Sequence, residues 1–169
     1  MYGFPSEESL CFQNGIYVIN AQTDLEKIAT ITSNEMVDFT IEAGKPKRIA
    51  NRRIALDRVS KAIKLEVDDD SDGELKTYMV AFGMGDSPIV DTCIALAESS
   101  SSGIGILLRY DFSQRKTFIS CRVTEESGLN AGKIMRLKFG GGGSRSMGGC
   151  SIPGLHFPED LVGQKTART

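Results

Sequence analysis

The chain has 169 residues, a length that suits one large domain or one domain with an appended segment. Apolar residues make up 40% and charged residues 25%, as in ordinary soluble proteins, and a formal net charge of −2 argues against wholesale coating of nucleic acid while leaving room for a local basic site. Tryptophan is absent, so platforms for base stacking are few.

The cysteines are Cys11, Cys93, Cys121 and Cys150, with no C-x-x-C pair, and His156 is the single histidine. A zinc site of ordinary ligand spacing is not expected. The even cysteine count is compatible with two disulfides. Residues 1–20, however, carry Glu7 and Glu8 and lack the basic-then-apolar pattern of a secretory signal. Free thiols in a reducing compartment and a cytoplasmic location are the expectation. No apolar run approaches the roughly 18 residues needed to span a membrane, and no membrane partner is expected.

In chain order, "GIYVIN" (15–20) has the β-branched and aromatic content of a strand. Thr23 with Glu26, and Thr32 with Glu35, each read as a capping box opening a helix, the second closed by Gly44. Pro46 then stands where a proline starts a new helix, running to about Ile63 with Ile49, Leu56, Val59 and Ile63 on one face. Lys47, Arg48, Arg52, Arg53, Arg58 and Lys61 make that helix basic, which reads first as a solvated face and second as a partner surface. "DDDSDGE" (68–74) imitates the first half of a calcium loop, but its twelfth position is Met79 where a bidentate Glu is required, so no calcium site is expected.

From Leu75 the pattern sharpens. "LKTYMVAFGM" is a strand, "GDSP" a turn with Ser87 as N-cap and Pro88 at N1, and "PIVDTCIALAES" a helix. Gly83 and Gly85 follow a strand as G-x-G, but Pro88 occupies the third glycine position and the dinucleotide fingerprint fails. "GIGILLRYDF", the connection "SQRK" and "TFISCRVTE" are two further strands. "NAGKIMRLKF" is a short helix, "GGGG" a loop and "CSIPGL" a last strand. The fold class expected is α/β, a mixed β-sheet flanked by helices with a helical N-terminal connector. The domains read as 1–74 connector, 75–158 sheet domain and 159–169 tail.

Four consecutive glycines, Gly140 to Gly143, admit three readings: a flexible linker, a helix cap plus turn, or a cradle in which bare backbone amides approach an anion. The run joins a helix to a strand inside one unit, and Lys133, Arg136, Lys138, Arg145 and Arg122 surround it in sequence or on the sheet. That context favours the cradle, since guanidinium groups can bind phosphate bidentately.

Ser120-Cys121-Arg122 at a strand end and, after a short helix, Phe139-Gly140-Gly141-Gly142-Gly143 resemble the two hallmarks of the DHH-associated C-terminal domain. That domain accompanies the metal-binding catalytic domain of DHH-superfamily phosphoesterases: oligoribonucleases, RecJ-like exonucleases and exopolyphosphatase-related hydrolases. The resemblance covers about residues 75–157. It implies a substrate-binding role for Ser120, Arg122, Gly140, Gly141, Gly142, Gly143, Ser144 and Arg145. The ligand it implies bears phosphate: short RNA or DNA, a nucleotide or polyphosphate.

Two departures matter. The family's His after the glycines is Ser144 here, which can donate a hydrogen bond but carries no positive charge. Asp-His-His is absent, so no catalytic residue and no cofactor is assigned to this chain. Manganese or magnesium, and hydrolysis, would come with a DHH catalytic domain outside it. On that reading the chain is the C-terminal piece of a longer protein or a stand-alone descendant. A weaker resemblance, of "GGGGSRSMGG" to the C-terminal domain of alanyl-tRNA synthetase, implies a stand-alone RNA-binding module. A non-catalytic oligomerisation domain, with a homodimer as partner, is the remaining alternative.

Overall fold

A computed structural model describes residues 5–22, 33–68, 75–84 and 88–161. The chain divides into two compact units, Pro5–Arg53 and a larger one from Ile54 onward. The expected caps at Thr23 and Thr32, and most of the aspartate loop at 69–74, lie outside the described residues.

The small unit holds helix α1, Glu7–Gln22, and most of helix α2, Ser33–Ser60. "GIYVIN", expected as a strand, lies inside α1. Leu10, Cys11 and Asn14 are buried at helical spacing. A Cβ on Gly15 would lie 1.8 Å from the Thr40 carbonyl oxygen, and one on Gly44 would lie 1.8 Å from that of Cys11. The two helix backbones therefore touch at a reciprocal pair of glycines, and tertiary packing overrides local strand preference. Gly44, expected to end a helix, serves this crossing instead. Pro46, expected to begin one, is internal to α2 and removes one backbone donor from it. The Glu7 carboxylate accepts from Arg48 Nε at 3.0 Å and Nη2 at 2.9 Å, a bidentate pair clamping the same crossing.

The basic stripe is partly committed. Lys61 pairs with Asp57, Arg58 donates to the Phe82 carbonyl at 3.1 Å, and Lys47 sits over the Tyr17 ring. The apolar face expected from Ile49 to Ile63 does not hold together. Ile49 and Leu56 are exposed, Val59 packs under the sheet, and Ile63 opens a strand, because the helix ends at Ser60.

The large unit is a six-stranded mixed sheet flanked by helices, the expected α/β class. Its elements are β1 Ile63–Asp68, β2 Leu75–Met84, helix α3 Ile89–Glu98, β3 Ile104–Asp111, β4 Lys116–Val123, helix α4 Ala131–Phe139, β5 Gly142–Gly143 and β6 Met147–Pro153. A 3-10 turn at Pro158–Leu161 follows. The strand order is β1-β2-β3-β4-β6-β5, with β2 and β3 parallel across α3 and every other pair antiparallel. β1 was not anticipated. Asp68 ends β1, Leu75 begins β2, and Met79 is buried in β2, so the described residues on either side of the aspartate stretch are strand.

Pro88, expected at N1, is the cap of α3 and its carbonyl accepts the first helical bond from Thr92 N–H at 2.9 Å. The hydrophobic pattern of α3 buries Cys93, Leu96 and Ala97 against Met79, Ala81 and Leu107. On the opposite face Ile104, Ile106, Leu108, Ile119 and Val123 pack under Ala131 and Met135 of α4. Each such Leu or Ile contributes about 1.5–3 kcal/mol on burial. α3 rests directly on the sheet at Gly105, where a Cβ would lie 2.4 Å from the Ala97 amide nitrogen.

Candidate functional site

Strand alternation sorts the β4 side chains. Thr117, Ile119, Cys121 and Val123 are buried towards α4. Ser120 and Arg122 point to the α3 side, half-buried. Their register partners on β6 are Gly149 and Met147, and Gly149 in turn faces Gly142 of β5. Two of those positions have no side chain. The sheet surface beside α3 is therefore low, and a cavity of about 370 Å³ opens there. Ile89, Val90 and Cys93 of α3 form one wall, Ser120, Arg122 and Met147 the floor and far side, and Gly142, Gly143 and Ser144 the rim. Five of the eight residues singled out from sequence thus surround one space: Ser120, Arg122, Gly142, Gly143 and Ser144. Gly140, Gly141 and Arg145 do not line it.

The glycines divide by task. Gly140 has φ 68° and caps α4, and the amide of Gly141 donates back to the Met135 carbonyl at 3.0 Å. Gly141 also lies so close to β6 that a Cβ would be 2.5 Å from the Gly149 carbonyl oxygen. Gly143 has φ 150°, with Met147 O 2.3 Å from the position of a Cβ. Gly142 differs, because a Cβ there meets nothing within 4 Å. Its bareness is not demanded by the protein's own packing.

The amides divide too. Val123 N–H donates to Ser146 O at 3.3 Å, and the alternation of an antiparallel ladder then makes Gly142 and Gly149 the hydrogen-bonded pair across β5 and β6. The amide of Gly143 faces away from β6, and that of Ser144 has no hydrogen-bond partner among the described residues. The expectation of four amides converging on one anion is revised accordingly. The Gly141 amide is spent on the helix end and the Gly142 amide on the ladder, while that of Gly143 and, just beyond the run, that of Ser144 are not. The α4 N-terminus is likewise closed. Ala131 and Gly132 N–H donate to the Arg145 and Ser144 carbonyls, and Lys133 N–H to Asn130 Oδ1.

Among the described residues lining the cavity, Arg122 is the one cation. Its Nη2 reaches Met147 Sδ at 3.6 Å, a weak acceptor, and no carboxylate among the described residues pairs with it. Burial lowers its pKa from the ordinary arginine value, with the Cys93 thiol opposing. A half-buried guanidinium with four donors unspent favours an arriving anion. Cys93 faces the same space, but burial pushes its thiol up to about 12, which makes it a wall and not a nucleophile. Ser144 Oγ donates to Met147 O at a long 3.4 Å and is easily redirected. Arg145 is exposed.

A larger hollow of about 570 Å³ lies at the other end of α3, lined by Lys76, Glu98, Ser100, Ser102 and Glu126 among others. Its two carboxylates oppose an anion, and the sequence singled out none of it. The described residues do not fit the metal pair of a DHH catalytic centre, since no three His, Cys, Asp or Glu side chains gather. His156 is structural: its ring nitrogen bonds the Pro153 carbonyl at 2.8 Å and its amide donates to Thr117 Oγ1 at 3.0 Å. Among the described residues no helix is long and apolar enough to cross a membrane.

No protein-family model and no curated protein matches the chain. Solved structures similar to it include the pGpG-specific phosphodiesterase PggH of Vibrio cholerae, at 15% identity and a TM-score of 0.43 over 73% of this chain. A DHH domain described as a member of the s1p family of ribosomal proteins aligns at 12% identity and 0.49 over 92%. The C-Ala domain of alanyl-tRNA synthetase from Aquifex aeolicus aligns at 17% and 0.40 over 59%. The chain spans 46% and 39% of the first two structures and 91% of the third.

Proposed function

We propose that the cavity beside α3 binds the phosphate of a nucleotide or a short oligonucleotide end, with Arg122 as its anchor. The observation that carries this reading is the state of Arg122: half-buried, without a carboxylate, and facing an open space rimmed by Gly142, Gly143 and Ser144. Guanidinium donors and the amides of Gly143 and Ser144 would share the phosphate oxygens. Ile89, Val90 and Met147 offer an apolar wall to a base or sugar. A single cation among the described residues around a cavity of about 370 Å³ suits a nucleotide better than polyphosphate, whose successive charges would need several. In this reading the chain supplies substrate binding to a cytoplasmic DHH-type phosphoesterase. A metal-bearing catalytic domain would be its partner, and manganese or magnesium would belong to that partner.

Titration calorimetry with a nucleoside monophosphate, a dinucleotide, inorganic phosphate and polyphosphate tests the reading on the wild type and Arg122→Ala. The mononucleotide and dinucleotide should bind the wild type and lose affinity in the variant. Absence of binding at low salt, or equal binding by both proteins, defeats it.

A stand-alone RNA-binding module has one observation in its favour: Lys133, Arg136 and Arg145 are exposed on and beside α4. That reading predicts strongly salt-dependent binding of a structured RNA that survives Arg122→Ala.

A further inference from the structure

Strand β1 ends the sheet and, among the described residues, pairs only with β2. Its sequence is Ile63-Lys64-Leu65-Glu66-Val67-Asp68. Which of its backbone groups face outward follows from β2. On the β3 side the Thr77 amide donates to Ser102 Oγ at 2.9 Å, and the Thr77 carbonyl accepts there from Ser100 Oγ at 2.6 Å. Thr77 therefore turns away from its β1 partner Glu66. By alternation Ile63, Leu65 and Val67 bond to β2, while Lys64 and Glu66 present their N–H and C=O groups to the open edge.

We infer that this edge pairs with the same edge of a second copy, antiparallel, about a two-fold axis through Leu65. The pattern is self-complementary in three respects. Lys64 of one copy stands opposite Glu66 of the other, and the reverse, so four outward backbone groups on each side meet four on the partner. The same two pairs bring opposite charges together. Ile63 meets Val67 and Leu65 meets Leu65 on the apolar face, which continues that of the sheet. Shifting by one residue would set outward backbone groups against groups already bonded to β2. Centring on Lys64 or on Glu66 would set like charges opposite one another, which is unfavourable. One register alone satisfies all three conditions. Lys64 and Glu66 are both exposed and make no ion pair with a described residue, so neither must be released from another contact. An open edge of this kind needs blocking or pairing, and no proline or bulge blocks it. The pairing lies on the opposite side of the sheet from the cavity edge and does not depend on the phosphate reading.

Charge swapping tests it. Sedimentation velocity of the full chain over a concentration series should show a monomer–dimer equilibrium. Lys64→Glu and Glu66→Lys, each alone, place like charges in both pairs and should weaken the dimer by about tenfold or more. Mixed in equal amounts they restore both opposite-charge pairs, and a one-to-one heterodimer should form with about wild-type affinity. Amide hydrogen exchange gives a second readout in unmodified protein, where Lys64 and Glu66 amides should gain protection as concentration rises. A chain monomeric at every concentration, a dimer indifferent to both swaps, or a mixture that fails to recover overturns the proposal. A strand from a different protein as the edge's occupant would show as the first of these.

Discussion

Arg122 and Met147 face each other across the β4–β6 ladder, with guanidinium Nη2 and thioether Sδ 3.6 Å apart. The sulfur holds the arginine in place without neutralising it. Arg122→Ala should therefore cost little stability, while binding of a mononucleotide falls by about ten- to a hundredfold, the 1.5–3 kcal/mol of a charged hydrogen-bond partner. Calorimetry and a thermal melt on the same samples check both halves. A drop in melting temperature paralleled by no change in affinity would assign Arg122 to the fold.

Gly142 and Gly143 are neighbours with opposite expectations. Gly142→Val places its side chain in open space on a strand, so the fold should persist while the cavity fills and binding is lost. Gly143→Val puts a branched side chain at φ 150° and against Met147 O, and should destabilise by more than about 1–2 kcal/mol. Denaturant unfolding of the two variants should separate them clearly. Equal destabilisation would mean that all four glycines serve packing.

Ser144→His adds a titrating cation at the cavity rim. Imidazole is charged below its pKa, so phosphate binding should strengthen as pH falls below about 6.5, and above about pH 7.5 it should match wild type. The wild-type protein should show no such step, since no histidine is among the described residues lining the cavity. Affinity measured from pH 5.5 to 8 decides this.

The buried thiols predict an alkaline limit. Burial pushes Cys93 up to about 12, and burial with the nearby Cys93 raises Cys121 further. A raised folded-state pKa favours the native state fully below the unfolded thiol value, near 9. It loses that contribution as pH rises from there to about 12, because only the unfolded chain releases the proton in that window. Stability should fall by about 1.4 kcal/mol per pH unit for each such thiol. Cys93→Ala and Cys121→Ala should flatten the slope, measured by urea unfolding between pH 8 and 10. The same thiols should resist an aromatic disulfide reagent at pH 8 until the protein is unfolded.

The chain with manganese or magnesium should hydrolyse neither a dinucleotide nor bis-p-nitrophenyl phosphate. Two-metal chemistry needs several carboxylates and imidazoles around ions about 3.5–4 Å apart. Robust turnover that survives His156→Ala would overturn this.

Residue types alone settled much of the larger unit. β3 and β4 were readable as strands, Asn130 announced the start of α4, and the glycine at its end announced the stop, because these signals act within a few residues of backbone. Ser120 and Arg122 share a face by the two-residue period of a strand, so their pairing was legible as well. Three things were decided only in three dimensions. "GIYVIN" became helix because Gly15 and Gly44 let two backbones cross in contact, a reward invisible to local propensity. Strand β1 exists because β2 offers it a ladder. And the glycine run split into cap, close approach and open rim according to what stands opposite each residue: Met135, Gly149, Met147 or nothing. Identical residues in a row carry identical local preferences, so only their neighbours across the fold could tell them apart.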